Sequence, residues 1–174
     1  MEANTHERCV AFRREIHQYP ELGFQEFETR NRIKKILAEF GVLPEQMHET
    51  EPTALHVDIK GKAAPSGQPR CVAFRADMDA LSMVENNDHL EYKSKNHGRA
   101  HMCGHDGHMA CLVAFVPLFL AKLNEVPSDR TVRLLFQPSE EGPKSGAKVM
   151  IENGVIDDVD EVYGFHQKPL PPFG

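Results

Sequence analysis

Histidine, cysteine and aspartate are concentrated in one stretch of the chain, HMCGHDGHMA, at residues 101–110. Cys103 and His105 are separated by one residue, and glycines at positions 104 and 107 would allow a close turn from which both side chains reach one centre. Zinc and its first-row neighbours accept thiolate and imidazole ligands, whereas calcium and magnesium prefer oxygen. The stretch therefore predicts part of a transition-metal site.

Further candidate ligands come directly after, or at the end of, segments that read as β-strands: Asp77, Asp79, Glu140, Glu141 and His166. In open α/β sheets, ligands bind outside the carboxyl ends of the strands, so these groups are expected on one rim. Cys103 and His105 would begin a helix that faces the same rim. We also expect the helix N-terminus to favour the thiolate form of Cys103.

Other interpretations of these residues remain open. Cys103 could be an ordinary buried thiol, and paired glutamates are often only solvated charge. Asp77 and Asp79 could support a loop, an alternative with nearly equal weight. For His101 and His108 a structural or ligand-positioning role is favoured over metal ligation.

Hydrophobic periodicity predicts alternating helices and strands. Helices are predicted at 5–18, 25–40, 106–123 and 145–154, and strands at 54–61, 71–76, 131–137 and 159–166. Strands separated by helices indicate an α/β fold with a mostly parallel or mixed sheet covered by helices, and we expect it to be largely parallel. The helix at 106–123 is apolar on nearly every face, so it should be buried, and Pro117 should kink it.

Composition excludes several classes of protein. The 174 residues carry a net charge of −6 and no stripe of Lys and Arg, which argues against a nucleic-acid partner. The first residues lack the pattern of a secretory signal. The longest apolar run, 110–121, is too short to cross a membrane. With four scattered cysteines that suggest reduced thiols, the expected protein is cytoplasmic and not membrane-bound.

Five motifs, in order, carry a family resemblance: HQYPELGFQEFET at 17–29, FRADMDALSMVE at 74–85, HMCGHDGH at 101–108, LLFQPSEEGPKSGAKVMIENG at 134–154 and VYGFH at 162–166. On these motifs the chain resembles the N-terminal part of the metal-dependent N-acyl-amino-acid amidohydrolases. That family includes hippurate hydrolases, aminoacylases and hydrolases of indole-acetyl amino acids. The motifs cover nearly the whole chain, so chance is a poor explanation.

The resemblance implies roles for individual residues. The metal ligands would be Cys103, which bridges two ions, and His105, Glu141 and His166. Glu140 would be the catalytic base, and Asp79 would support the metal-binding side chains. Asp77 lies where more distant relatives have a metal-binding histidine, so its role stays open. The cofactors would be divalent ions, two per complete site, drawn from Zn, Mn, Ni or Co.

The chain also departs from the family. Ser82 stands where the family usually has proline, and Met102 where a small residue is common; both neighbour the site without supplying ligands. Relatives are longer, with a smaller domain for substrate binding and dimerisation and a late metal-binding histidine. We therefore expect residues 1–174 to be the N-terminal part of the catalytic domain, with an apolar sheet edge left uncovered.

Two functions from different classes follow. The first is hydrolysis of the amide bond of N-acyl amino acids by a metal-activated water with a glutamate base, although this chain alone would hold an incomplete site. The second is a catalytically inactive homologue that acts as a metal-binding or interaction module. A thiol redox protein built on Cys103 and Cys111 is weaker, because the pair lacks CxxC spacing.

Overall fold

The computed structural model describes residues 3–168 and confirms the predicted α/β class. Its helices are α1 (Ala3–Gln18), α2 (Phe27–Glu39), α3 (His105–Leu120) and α4 (Gly146–Glu152). Its strands are β1 (Met47–Thr50), β2 (Ala54–Lys60), β3 (Arg70–Asp77), β4 (Arg130–Gln137) and β5 (Glu161–Gly164). Short 3-10 helices cover Pro44–Gln46 and Leu123–Glu125. The predicted helices and strands are all present, with ends shifted by a few residues.

The sheet is mixed, with the strand order β1-β2-β4-β3-β5. β2 pairs antiparallel with both β1 and β4, whereas β3 pairs parallel with both β4 and β5. The expectation of a largely parallel sheet was therefore wrong, and the mixed alternative is correct. Only strands separated by a helical crossover run parallel here, whereas β1 and β2 are joined by a short turn.

Strand β1 was missed because its four residues, MHET, show no apolar alternation. Its extended form depends on pairing with β2, in which His48 lies opposite His56. A segment this short and polar becomes a strand through its neighbour and not through its own propensity.

Side-chain alternation along the strands gives the sheet two different faces. On one face Leu55, Val57 and Ile59 of β2 are fully buried in a large core with residues of α1, α2 and α3. The other face holds a smaller cluster that includes Leu135 and Met150, where α4 packs. The large core anchors α3, and with it the residues at the start of that helix.

Helix α3 continues through Pro117. Its inner side is buried, but on its outer side Cys111 is exposed and Leu118 is 46% exposed. Within residues 3–168, the prediction that nearly every face of this helix is buried was therefore wrong for the outer side. Beside it, β5 forms a sheet edge with Val162 and Tyr163 more than half exposed, as expected. No helix in the described part of the chain is long and apolar enough to cross a membrane.

Candidate metal centre

Three parallel strands end at the same rim of the sheet. β3 ends at Asp77, β4 at Gln137 and β5 at Gly164, and their parallel pairing directs all three carboxyl ends the same way. Each strand is followed within a few residues by predicted site residues. The first turn of α3, which connects β3 to β4, lies at this rim.

His105 is fully buried at the start of α3. Its Nδ1 donates a hydrogen bond to the main-chain oxygen of Asp79 at 2.9 Å, so in the neutral ring Nε2 carries the lone pair. Nε2 is shielded from solvent and forms no hydrogen bond in residues 3–168. It lies 3.6 Å from Asp77 Oδ2 and 3.9 Å from Glu141 Oε1. Burial opposes protonation of this ring, but the hydrogen bond and charge of Asp79 and the charge of Asp77 outweigh it and raise its pKa.

His166 has the same tautomer as His105. Its Nδ1 donates to the main-chain oxygen of Gln167 at 2.7 Å, and its Nε2 lies 3.4 Å from Cys103 Sγ. A carbonyl that holds one ring nitrogen and orients the other is the usual support of a metal-binding histidine. Both imidazoles are therefore set with Nε2 directed toward the other candidate ligands.

The helix N-terminus was expected to favour the thiolate form of Cys103. For the protein groups alone, without a bound cation, this expectation was wrong. Burial and the neighbouring carboxylates, Glu141 first among them, raise the pKa of the Cys103 thiol to about 12. Negative charge close to the sulfur outweighs the partial positive charge of the helix end. A thiolate at this position requires a cation beside it.

Asp79 connects the end of β3 with the loop after β4. Its Oδ2 accepts a hydrogen bond from the main-chain N–H of Glu141 at 2.9 Å, and its Oδ1 lies 3.3 Å from His105 Nδ1. Burial raises its pKa, but the nearby His105 ring and the main-chain N–H groups of the glutamate loop outweigh that effect, so the pKa of Asp79 is lowered. Glu140 is more open, with a side chain 40% exposed and Oε2 4.0 Å from His105 Nε2.

Asp77, whose role the sequence left open, is fully buried between two side chains. It accepts a hydrogen bond from Arg75 at 2.7 Å and one from His108 Nδ1 at 2.6 Å. His108 Nε2 in turn accepts the N–H of Gln167 at 3.1 Å. Both nitrogens of His108 are therefore occupied, which supports a positioning role for this ring.

The structure places the four predicted ligands in two overlapping groups, one of which also contains Asp77 and His108. Within each group, one ligand atom from every residue lies within 4.8 Å of the others. The first group is Cys103, His105 and Glu141, and the second is Asp77, His105, His108 and His166. His105 belongs to both, and the contact between Cys103 and His166 links them further. No metal-ligand role is proposed for His101, which is buried, and burial lowers its pKa to about 4.

A buried ionic cluster next to His105 was not predicted. Asp106 is fully buried; its carboxylate contacts the His17 ring at 2.8 Å and forms an ion pair with Arg13 at 2.6 Å. The His17 ring also contacts Glu85. These contacts tie α1 to the first turn of α3. His17 and Glu85 lie in recognised motifs, but nothing in their spacing indicates that they meet.

A second missed residue is Glu26, which is fully buried just before α2. It accepts the N–H of Ser139 at 2.9 Å and the hydroxyl of Thr53 at 2.6 Å. Burial raises the pKa of Glu26. Ser139 has a positive φ of 46°, so this contact holds the glutamate loop in an unusual backbone conformation.

A cleft of about 430 Å³ opens beside Glu141. Leu22, Phe24 and Leu81 are among its lining residues, and Lys144 also borders it. Ser82, one of the departures from the family pattern, also lines this cleft, whereas Met102 is exposed. A small molecule with an apolar group and a carboxylate would fit such a surface.

The two glycines of the motif have different roles. Gly104 precedes α3 with a φ of +91°, as the predicted turn requires, whereas Gly107 has no positive φ and open space where a Cβ would lie. The expectation for Gly107 was therefore wrong.

Gly104→Ala should lower the free energy of unfolding by about 1–2 kcal/mol, because a Cβ is disfavoured at positive φ. The matched control Gly107→Ala should raise it by up to about 1 kcal/mol. Denaturant unfolding measures both; equal effects would contradict this assignment.

The mixed sheet, with a thiol, imidazoles and carboxylates at the ends of its parallel strands, defines an α/β metal-binding domain. The chain belongs to peptidase family M20/M25/M40, whose family model matches residues 73–173. This membership confirms the resemblance identified from the motifs.

Individual relatives agree with the family match. The chain is 42% identical over 162 residues to the N-acetyl-L-cysteine deacetylase of Bacillus subtilis (strain 168), covering 93% of this chain and 36% of the relative. It is 40% identical over 158 residues to the N-acyl-L-amino acid amidohydrolase of Geobacillus stearothermophilus, covering 90% of this chain and 40% of the relative. A crystal structure of a Bacillus subtilis dinuclear metal binding peptidase of the M20 family superposes with a TM-score of 0.87 at 34% identity. The match covers 99% of this chain and 45% of that protein. The chain thus spans less than half the length of these relatives.

Proposed function

We propose that this chain carries a divalent-metal centre for hydrolysis of the amide bond of N-acyl amino acids or related small amides. The observation that carries the proposal is the shared arrangement of His105 and His166. Each donates Nδ1–H to a carbonyl oxygen and leaves Nε2 facing sulfur or carboxylate oxygen. Lone pairs and negative charges gathered in this way are unfavourable without a cation among them.

The residues present fit a divalent cation. Cys103, His105, Glu141 and His166 supply sulfur, nitrogen and oxygen ligands of the kind that zinc, manganese, nickel or cobalt accept. Cys103 belongs to the group with Glu141 and also contacts His166, so its sulfur lies where it could contact two ions. The relative described as a dinuclear metal binding peptidase supports two ions.

A bound divalent ion would lower the pKa of a water ligand toward ~7 and polarise the substrate carbonyl. Glu140 is suited to exchange protons, because its side chain is part-exposed and has no hydrogen bond within residues 3–168. It would take a proton from the attacking water and return it to the leaving amine. Asp79 would act as a positioning residue through His105 and the main chain of Glu141.

The proposed substrate class rests on the cleft and on the relatives. The apolar wall of the cleft would receive the acyl or side-chain group, and Lys144 would face the substrate carboxylate. The relatives named N-acetyl-L-cysteine deacetylase and N-acyl-L-amino acid amidohydrolase support an acylated amino acid. A second candidate, a metal-binding module without turnover, is favoured by the exposure of His166 and of the apolar β5 edge.

Metal analysis of the purified chain, with an assay on a panel of N-acyl amino acids, tests these proposals. We expect bound divalent metal, and any cleavage should be removed by a chelator and restored by added Zn²⁺ or Mn²⁺. A folded chain that retains no metal would refute the centre itself. Metal retention with no cleavage of any panel member would favour the module.

A further inference from the structure

We propose a second, separate divalent-cation site, formed by His48, His56 and Asp58, on the face of the sheet opposite the large core. One ligand atom from each of these residues lies within 4.8 Å of the others. Two imidazoles and one carboxylate form a ligand set that accepts zinc, nickel or copper. The group shares no residue with the candidate metal centre.

Strand pairing makes the two histidines neighbours. His48 of β1 lies directly opposite His56 of β2, and their rings stack with centroids 4.9 Å apart. Directly opposed residues on one face of an antiparallel pair have adjacent side chains. The backbone register therefore holds the two imidazoles together.

Alternation along β1 separates this face from the large core. Glu49 forms ion pairs with Arg30 and Lys34 of α2, so His48 is directed to the opposite face. On β2, Asp58 is two residues from His56 and shares its face. The smaller core cluster on that face contains Met150 of α4 and Val155.

His56 has a ring nitrogen available to a ligand. Its Nδ1 is shielded from solvent and forms no hydrogen bond within residues 3–168. His48 is exposed and can adjust its rotamer.

Asp58 is held in place as a ligand should be. Arg133, opposite it on β4, donates to both carboxylate oxygens at 2.7 Å. Each oxygen retains capacity for a further interaction. Asp158 also pairs with Arg133 at 2.6 Å, so two carboxylates offset one guanidinium and the local charge remains favourable to a cation.

Co²⁺ binding to the purified chain tests the site. Equilibrium dialysis counts all bound ions, whereas thiolate-to-cobalt absorption reports only an ion beside a cysteine sulfur. The double variant His48→Asn/His56→Gln should lose one bound equivalent and keep the thiolate absorption. The control His89→Asn, at an exposed histidine outside the group, should lose neither.

Far-UV circular dichroism shows whether the double variant is folded. If it is folded and binds as many ions as the native chain, the proposal is overturned and the two histidines are only a stacked pair. If the double variant does not fold, histidine-selective NMR of the native chain decides the question. Zn²⁺ should shift the ring resonances of His48 and His56, and unshifted resonances would overturn the site. The native chain could show no thiolate-to-cobalt absorption while the double variant still binds one ion fewer. That result would contradict the proposed function but support the second site.

Discussion

Glu140→Gln should lower the rate of amide hydrolysis by about 10²- to 10⁴-fold while leaving the bound metal nearly unchanged. Glutamine keeps the size of the side chain but cannot accept the proton of the attacking water. Glu140 lies 4.0 Å from His105 Nε2 and is more exposed than Glu141. Loss of the proton acceptor should therefore reduce kcat without emptying the site.

Glu141→Gln is the matched comparison, because the two residues are adjacent and the substitution is the same. Glu141 belongs to the group with Cys103 and His105, so its neutralisation should release metal. Metal content by elemental analysis and kcat on N-acyl amino acids are measured for both variants. If Glu140→Gln loses the metal and Glu141→Gln keeps it, the two roles are exchanged; metal content decides this even where turnover is too slow to measure.

Asp79→Asn should weaken metal binding by about 10- to 100-fold, the usual range for a group that orients ligands. The carboxylate of Asp79 lies 3.3 Å from His105 Nδ1 and accepts the N–H of Glu141. Asparagine fills the same space but lacks the negative charge that supports a cation-binding imidazole. One substitution should therefore affect two proposed ligands.

Competition with a chelating dye measures the metal affinity of this variant. Asp88→Asn is the control, because Asp88 pairs with Lys93 at an exposed position away from the centre. Near-native affinity in Asp79→Asn would mean that the main-chain contacts alone position His105. In that case Asp79 would serve the fold and not the metal.

Local sequence pattern was sufficient for the long elements and for their order along the chain. Helix α3 and strands β3 and β4 are recognisable as apolar runs, and their ends place Asp77, His105 and Glu141 at one rim. Strand β1 was not predictable, since its form comes from pairing with β2. The sequence left the sheet as mostly parallel or mixed, because the direction of β2 relative to β4 depends on the pairing of segments far apart in the chain.

Site chemistry was predictable only in part. The spacing of Cys103 and His105 indicated ligands, but a raised thiol pKa depends on carboxylates from other strands. The links from Glu26 to Ser139 and from His17 to Asp106 join residues 113 and 89 positions apart. No local pattern reports such contacts.

The amino-acid sequence by itself determined the family, and it predicted the candidate ligands and their positions near the ends of strands. Tertiary structure decided which imidazole nitrogens carry lone pairs, which carboxylates surround the sulfur, and that His48 and His56 share a face. The physical reason is that electrostatic and hydrogen-bonding effects act over a few ångströms in space. Folding brings distant segments within that range.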